Sequence, residues 1–168
     1  PVVLLAKKAG VSIIGDVELL IRARPDACYI AITGTNGKST TTALIGHILT
    51  EAGRSIAIGG NFGLPALSLE ELDSDGIYVL EMSSFQLELT PSACFNVAIL
   101  LNISPDHLER HGGMEGYVSA KRLIFSQQKD GDLAIIGVDD DDALDLFDQQ
   151  ILAHKNGVIP ISVERQVE

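Results

Sequence analysis

The sequence has no tryptophan, and aromatic residues fill only 5% of its 168 positions. That argues against a surface that stacks single-stranded nucleic acid on aromatic rings. Positive charge is scarce too: 12 Lys and Arg stand against 23 Asp and Glu, a formal net charge of −11. Phosphate backbones and anionic bilayers call for the opposite balance, so neither a nucleic acid nor a membrane is expected as partner. No apolar run reaches the length of about 18 residues that suggests a membrane span. Cysteine is rare, and Cys28 and Cys94 lie far apart with no C-x-x-C spacing. They read as buried free thiols in apolar strand-like runs of a cytoplasmic protein. The chain opens "PVVLLAKKAG", without an initiating Met or a charged-then-apolar leader. The expectation is of a piece of a longer protein.

What is present is the balance of an ordinary globular domain, 46% hydrophobic and 21% charged, with enough length to bury a core. Five short apolar runs recur: "YIAIT" (29–33), "SIAIG" (55–59), "IYVLE" (77–81), "VAILLN" (97–102) and "DLAIIG" (132–137). They do not alternate apolar with polar, so both faces of their sheet should be covered. Helical spacing lies between them. Leu44, Ile45, Ile48, Leu49 and Ala52 form one stripe, and Gly53 follows as a stop signal. Alternating strands and helices predict an α/β fold, a mainly parallel sheet flanked by helices, with ligands at the carboxyl ends of the strands. Residues 1–26 read as the end of a preceding domain and its linker: a helix end, a short strand "VSIIG" (11–15) and a helix "DVELLIRAR" (16–24), broken by Pro25. Residues 27–168 read as the central domain. The acidic run Asp139–Asp142 fits a helix start better than a metal cluster. His47 and His154 read as helix-surface residues.

Chemistry concentrates in four stretches. In "AITGTNGKST" (31–40) a strand runs into Thr33-Gly34-Thr35-Asn36-Gly37-Lys38-Ser39 and a helix follows at once. The usual phosphate loop, G-x-x-x-x-G-K-[ST], puts a glycine six residues before the lysine; here that place is Ile32. The strand-to-helix context still supplies free amides and a helix N-terminus for phosphate, with Lys38 among the phosphates and Ser39 on Mg²⁺. Glu81 ends "IYVLE" at the working edge of the sheet, where a carboxylate suits Mg²⁺; a surface Glu closing a strand is the alternative. "LLNISPDHLERHG" (100–112) places Asp106 and His107 in a polar loop after another strand. His107 is either a metal ligand or donor, or a solvated loop histidine, and His111 carries a weaker claim. In "MEGYVSAKRLIFSQ" (114–127) the apolar stripe runs Met114, Tyr117, Val118, Ile124 and Phe125, and Lys121 falls on its buried side. Either its stem snorkels or its head meets bound anions and metal.

Together these stretches resemble the Mur ligases, ATP-dependent amide-forming enzymes of bacterial cell-wall precursor synthesis. "TGTNGKST" (33–40) is similar to their phosphate loop, whose first glycine stands where Gly34 does. "GGNFGLPAL" (59–67), "LEMSSFQLE" (80–88), "NISPDHLERHGGMEGYVSAKRLIF" (102–125) and "GDVELL" (15–20) resemble the branch that adds D-glutamate to UDP-N-acetylmuramoyl-L-alanine. The resemblance implies ATP contacts from Gly34, Thr35, Asn36, Gly37, Lys38, Ser39, Thr40 and Asn61. It implies one Mg²⁺ on Ser39 and Glu81 and a second on His107 and Lys121, the lysine carried as a carbamate. Lys38, Glu81, His107 and Lys121 would form the catalytic set, and Ser83, Gln86 and Tyr117 would face the muramoyl-peptide substrate. ATP would phosphorylate the terminal carboxylate, and the D-glutamate amine would displace phosphate from the acyl phosphate. The family has a uridine-nucleotide-binding domain before the ATPase domain and an amino-acid-binding domain after it. The expectation is therefore a phosphate and metal framework, lacking its flanking domains, that does not ligate D-glutamate alone. Another ligase on this scaffold, such as a folylpolyglutamate synthetase, and a non-catalytic nucleotide-binding module are the competing readings.

Overall fold

The computed structural model describes residues 2–153 and 157–167. Its centre is a six-stranded sheet in which every pairing is parallel. The strands are β1 (Cys28–Thr33), β2 (Ile56–Gly60), β3 (Ile77–Glu81), β4 (Val97–Leu100), β5 (Leu133–Gly137) and β6 (Val158–Ile161), ordered β2-β3-β1-β4-β5-β6. The helices are α1 (Val2–Lys8), α2 (Asp16–Ala23), α3 (Lys38–Glu51), α4 (Ser84–Leu87), α5 (Leu108–His111), α6 (Met114–Arg122) and α7 (Asp141–Ala153). None is long and apolar enough to cross a membrane, among the described residues.

Side chains alternate across the sheet and build two cores. Tyr29, Ala31, Tyr78, Leu80, Ala98 and Leu100 join one core with α2, Tyr117 of α6 and Leu146 of α7. Ile32, Val79 and Ile99 face the other way, against Ile45 and Leu49 of α3. Gly46 lets α3 lie close on β2, because a Cβ there would overlap the Ile58 side chain. The central strands run β3-β1-β4, so the carboxyl ends of β1 and β3 are side by side, with Ile32 opposite Glu81.

Several expectations change. "VSIIG" (11–15) is not a strand: the two sheet edges are β2 and β6, and this run instead reaches the α4 region, where the Gly15 amide donates to the Leu89 carbonyl. The α3 stripe splits, since Ile45 and Leu49 pack on the sheet while Leu44 and Ile48 are exposed. Cys94 lies in the turn before β4, its thiol donating to Asp132; both cysteines are free and half-buried. Burial raises both thiol pKa values. Strand β6 had no counterpart in the sequence reading. α7 starts at Asp141, as the acidic run suggested, with the Asp140 carboxylate accepting from the Ala143 amide at 2.9 Å. No group of three or more metal-ligating side chains occurs among the described residues. His47 is exposed on α3, and His154 lies outside the described residues. Val17, Leu20 and Ile21 of α2 enter the main core.

Candidate active site

Between β1 and α3 the backbone turns through two glycines of positive φ, Gly34 at 151° and Gly37 at 82°. A Cβ on Gly34 would stand 3.1 Å from the Leu101 Cβ, so the close approach and the φ both call for glycine. The loop is fixed from its far side. The Thr35 amide donates to the Asn102 carbonyl and the Asn36 amide to the Asn102 side chain, while the Thr35 hydroxyl bonds Ser104. α3 has no side-chain cap and no acidic residue in its first turn. Its bonding begins with the Thr41 amide on the Gly37 carbonyl, which leaves the amides of Gly37 to Thr40 without a partner among the described residues and open to an anion. The Lys38 ammonium folds back on the Thr35 carbonyl at 2.8 Å, beside those amides.

Glu81 is the end of β3 and 2% exposed. One carboxylate oxygen accepts from the Ser39 hydroxyl at 2.7 Å and the other from the Asn61 amide at 2.9 Å. The Asn61 backbone amide also bonds the Glu81 carbonyl, so the loop after β2 is tied to the strand beside it. A hydroxyl and a carboxylate oxygen side by side, next to a phosphate-type loop, form the donor set a hard cation takes. Mg²⁺ fits this pair.

Lys121 is 1% exposed, deep on α6. Its ammonium donates to the Gly34 carbonyl at 2.7 Å, approaches Thr33 Oγ1 at 3.5 Å and lies 4.7 Å from the centre of the Tyr117 ring. Among the described residues, no carboxylate lies within bonding distance of it. Burial, aided by the Lys38 charge, lowers its pKa to about 7, with Asp106 opposing. Tyr117, whose hydroxyl lies 3.2 Å from Thr35 Oγ1, is itself raised by burial.

His107 opens α5 with φ 50°, the one positive-φ residue other than glycine among those described. Such a conformation costs about 1–2 kcal/mol and is frequent where a side chain is aimed for function. Its ring is about half exposed, with Nε2 3.5 Å from Asp106. Ser83 and Gln86 form a reciprocal capping box at the start of α4. Gln86 Oε1 accepts from the Ser83 amide and hydroxyl, so the Ser83 hydroxyl and the Gln86 amide oxygen are engaged with each other.

One cleft is lined by Lys38, Asn61, Ser83, Ser84, Phe85, Asp106, His107, Tyr117 and Lys121. Residues from five separate stretches of sequence therefore converge, while Thr40 is exposed on α3. The sequence reading missed Asn102, the clamp of the loop, and gave His111, whose side chain is enclosed, only a weaker claim than His107. The available signal for His111 was its place four residues after His107, on the same side of a short helix.

Residues 32–167 match the Mur ligase middle domain. The chain is 54% identical over 157 residues to the UDP-N-acetylmuramoylalanine–D-glutamate ligase of Rhodospirillum rubrum, covering 94% of this chain and 32% of that protein. It is 53% identical over 163 residues to the enzyme of the same name from Caulobacter vibrioides, covering 94% and 35%. The chain thus spans about a third of the length of these relatives. Among solved structures, a UDP-N-acetylmuramoyl-L-alanyl-D-glutamate–2,6-diaminopimelate ligase superposes with TM-score 0.68 at 25% identity, over 88% of this chain and 35% of its own. The MurF ligase of Thermotoga maritima in complex with ADP gives TM-score 0.64 at 25% identity, over 87% and 36%. The chain belongs to the Mur ligase family, and what it carries is that family's middle domain.

Proposed function

We propose that this chain is the ATP- and Mg²⁺-binding core of a cytoplasmic ligase that joins D-glutamate to UDP-N-acetylmuramoyl-L-alanine in peptidoglycan precursor synthesis. The observation that carries the reading is the Ser39–Glu81–Asn61 cluster beside the β1–α3 loop, with Lys121 turned inward behind it. The names of the relatives above 50% identity support the substrate pair, and the ADP in the Thermotoga maritima neighbour supports the nucleotide. The division near residue 26, with uridine-nucleotide-binding and amino-acid-binding domains on either side, belongs to the same reading.

In this reading the free amides of Gly37 to Thr40 and the Lys38 ammonium hold the ATP phosphates. Ser39 and Glu81 hold one Mg²⁺, and Asn61 keeps the Glu81 carboxylate turned toward it. The metal's contribution is to offset charge on the phosphate oxygens. His107 holds a second ion together with Lys121 as its carbamate. A lysine with pKa about 7 has a substantial neutral fraction at neutral pH, and neutral amine is the form that adds CO₂. The carbamate would exchange a buried cation for an anion facing the cleft. Ser83, Gln86 and Tyr117 orient the muramoyl-peptide, whose carboxylate is phosphorylated and then attacked by the D-glutamate amine. Positioning and fixed charge do most of the work, as in phosphoryl transfer generally.

The test pairs two proteins. Calorimetric titration of this chain with Mg²⁺·ATP should give binding that Lys38→Ala weakens about tenfold or more. D-glutamate-dependent phosphate release should be absent from the chain by itself and present in the full-length ligase, where Lys121→Ala should abolish it. Equal Mg²⁺·ATP binding with and without Lys38 would overturn the site. Release dependent on another amino acid in the full-length protein would overturn the substrate.

A further inference from the structure

His111 belongs to none of the roles above, yet it is the most enclosed histidine side chain near the cleft, 1% exposed. Its Nε2 lies 3.0 Å from the buried Ser84 hydroxyl, and its Nδ1 lies 3.6 Å from Glu88. The ring stacks on Phe85 at 5.4 Å between centres and 18° between planes. The ring also meets Tyr117, at 5.4 Å between centres and tilted by 50°. Phe85 in turn meets His107 at 5.1 Å. α6 comes so close beneath that a Cβ on Gly116 would overlap the His111 carbonyl oxygen. His111 is therefore held by α4 and α6 at once, and Phe85 meets both its ring and that of His107.

We propose that His111 is a positioning residue of this site: its buried ring carries Phe85, and through Phe85 it fixes the His107 imidazole over the cleft. The proposal rests on the reading above for what His107 does there, but not for how His107 is held. The half-exposed His107 meets Asp106 and the Phe85 ring. The His111 ring stacked on Phe85 constrains that second contact, and the bond to Ser84 sets the plane of the His111 ring. Removing the support of a metal-binding histidine typically weakens metal binding 10- to 100-fold.

Histidine-labelled chain, observed by NMR, gives a readout that mere stability does not move: the ring-current shift of the His107 Hε1 proton by Phe85. His111→Phe keeps a ring in place and should leave that shift nearly unchanged. His111→Gln and His111→Leu keep Phe85 but remove its support, and both should move the resonance toward that of a free histidine. Thermal unfolding identifies the folded variants, and the leucine variant fills the buried volume should glutamine not be tolerated. Mn²⁺·ATP affinity, read from the electron paramagnetic resonance of free Mn²⁺, should fall about tenfold in the same two variants and less than about threefold in His111→Phe. An unchanged His107 resonance in folded His111→Gln or His111→Leu overturns the proposal. A His107→Ala chain that binds Mn²⁺·ATP as tightly as the parent overturns the metal role of His107 instead, so the two failures are distinguishable.

Discussion

Glu18 and Lys121 are both buried charges, on opposite sides of the question of what a buried charge is for. The Glu18 carboxylate is 0% exposed and fully partnered: the Ser92 hydroxyl donates at 2.6 Å, the Ser92 amide at 3.2 Å and Arg22 at 2.7 Å. Burial pushes its pKa up, but Ser92 and then Arg22 push it down further, and the net shift is downward. The charged form is the one the fold is built around. Lys121 is buried as deeply, yet it meets a carbonyl, a distant hydroxyl and an aromatic face. Its charged form is the one the fold resists. A buried charge with charged and polar partners joins α2 to the segment after α4; a buried cation held by a carbonyl and an aromatic face lines the cleft.

The largest contrast is expected in stability. Glu18→Ala removes two bonds between Ser92 and a charged group and should cost about 3 kcal/mol in urea unfolding. Lys121→Met, which exchanges an unpaired cation for an apolar chain of similar length, should stabilise the unmodified chain by about 1 kcal/mol or more at pH 7. A loss of stability in Lys121→Met would break the comparison.

The pH profiles should differ in kind. Glu18 is depressed below its ordinary 4.5, so its contribution is complete above that value and is lost as pH falls through the folded pKa. Glu18→Gln should flatten that acid limb. Lys121 falls from 10.5 to about 7, so between those values the unfolded chain holds more protons and stability rises with pH. Lys121→Met should remove that rise, measured as denaturation midpoints from pH 7 to 10.5. The smallest effect is expected from Arg22→Ala. Its side chain is 53% exposed, and such pairs contribute about 0.2–1 kcal/mol. A larger loss there would make Arg22, and not Ser92, the principal partner of Glu18.

Local pattern made the central strands and the phosphate loop legible. Runs such as "IYVLE" are buried on both faces and read as apolar without alternation, and "TGTNGKST" carries the glycines of its turn within its own pattern. Lys121 was legible because a cation on an apolar stripe breaks the helical pattern. Glu18 was not, since it lies within a helix rich in ordinary charges and its partner Ser92 is 74 positions away. His111 was weighed in the sequence, but its enclosure was hidden for the same reason, since it depends on Ser84, Phe85 and Gly116 from other elements. "VSIIG" and "VIPI" are equally apolar; only the second finds a sheet edge, beside β5. The exposure of Leu44 and Ile48 follows from α3 touching the sheet along a narrower line than its apolar stripe.

Glu81 is where nucleotide and metal readings meet, so one substitution tests them together. In calorimetric titrations of the parent chain, Mg²⁺ should raise ATP affinity about tenfold or more over metal-free ATP. In Glu81→Gln the metal-free affinity should persist while the gain from Mg²⁺ disappears. The same gain in parent and variant would contradict the assignment of Ser39 and Glu81 as the metal-holding pair.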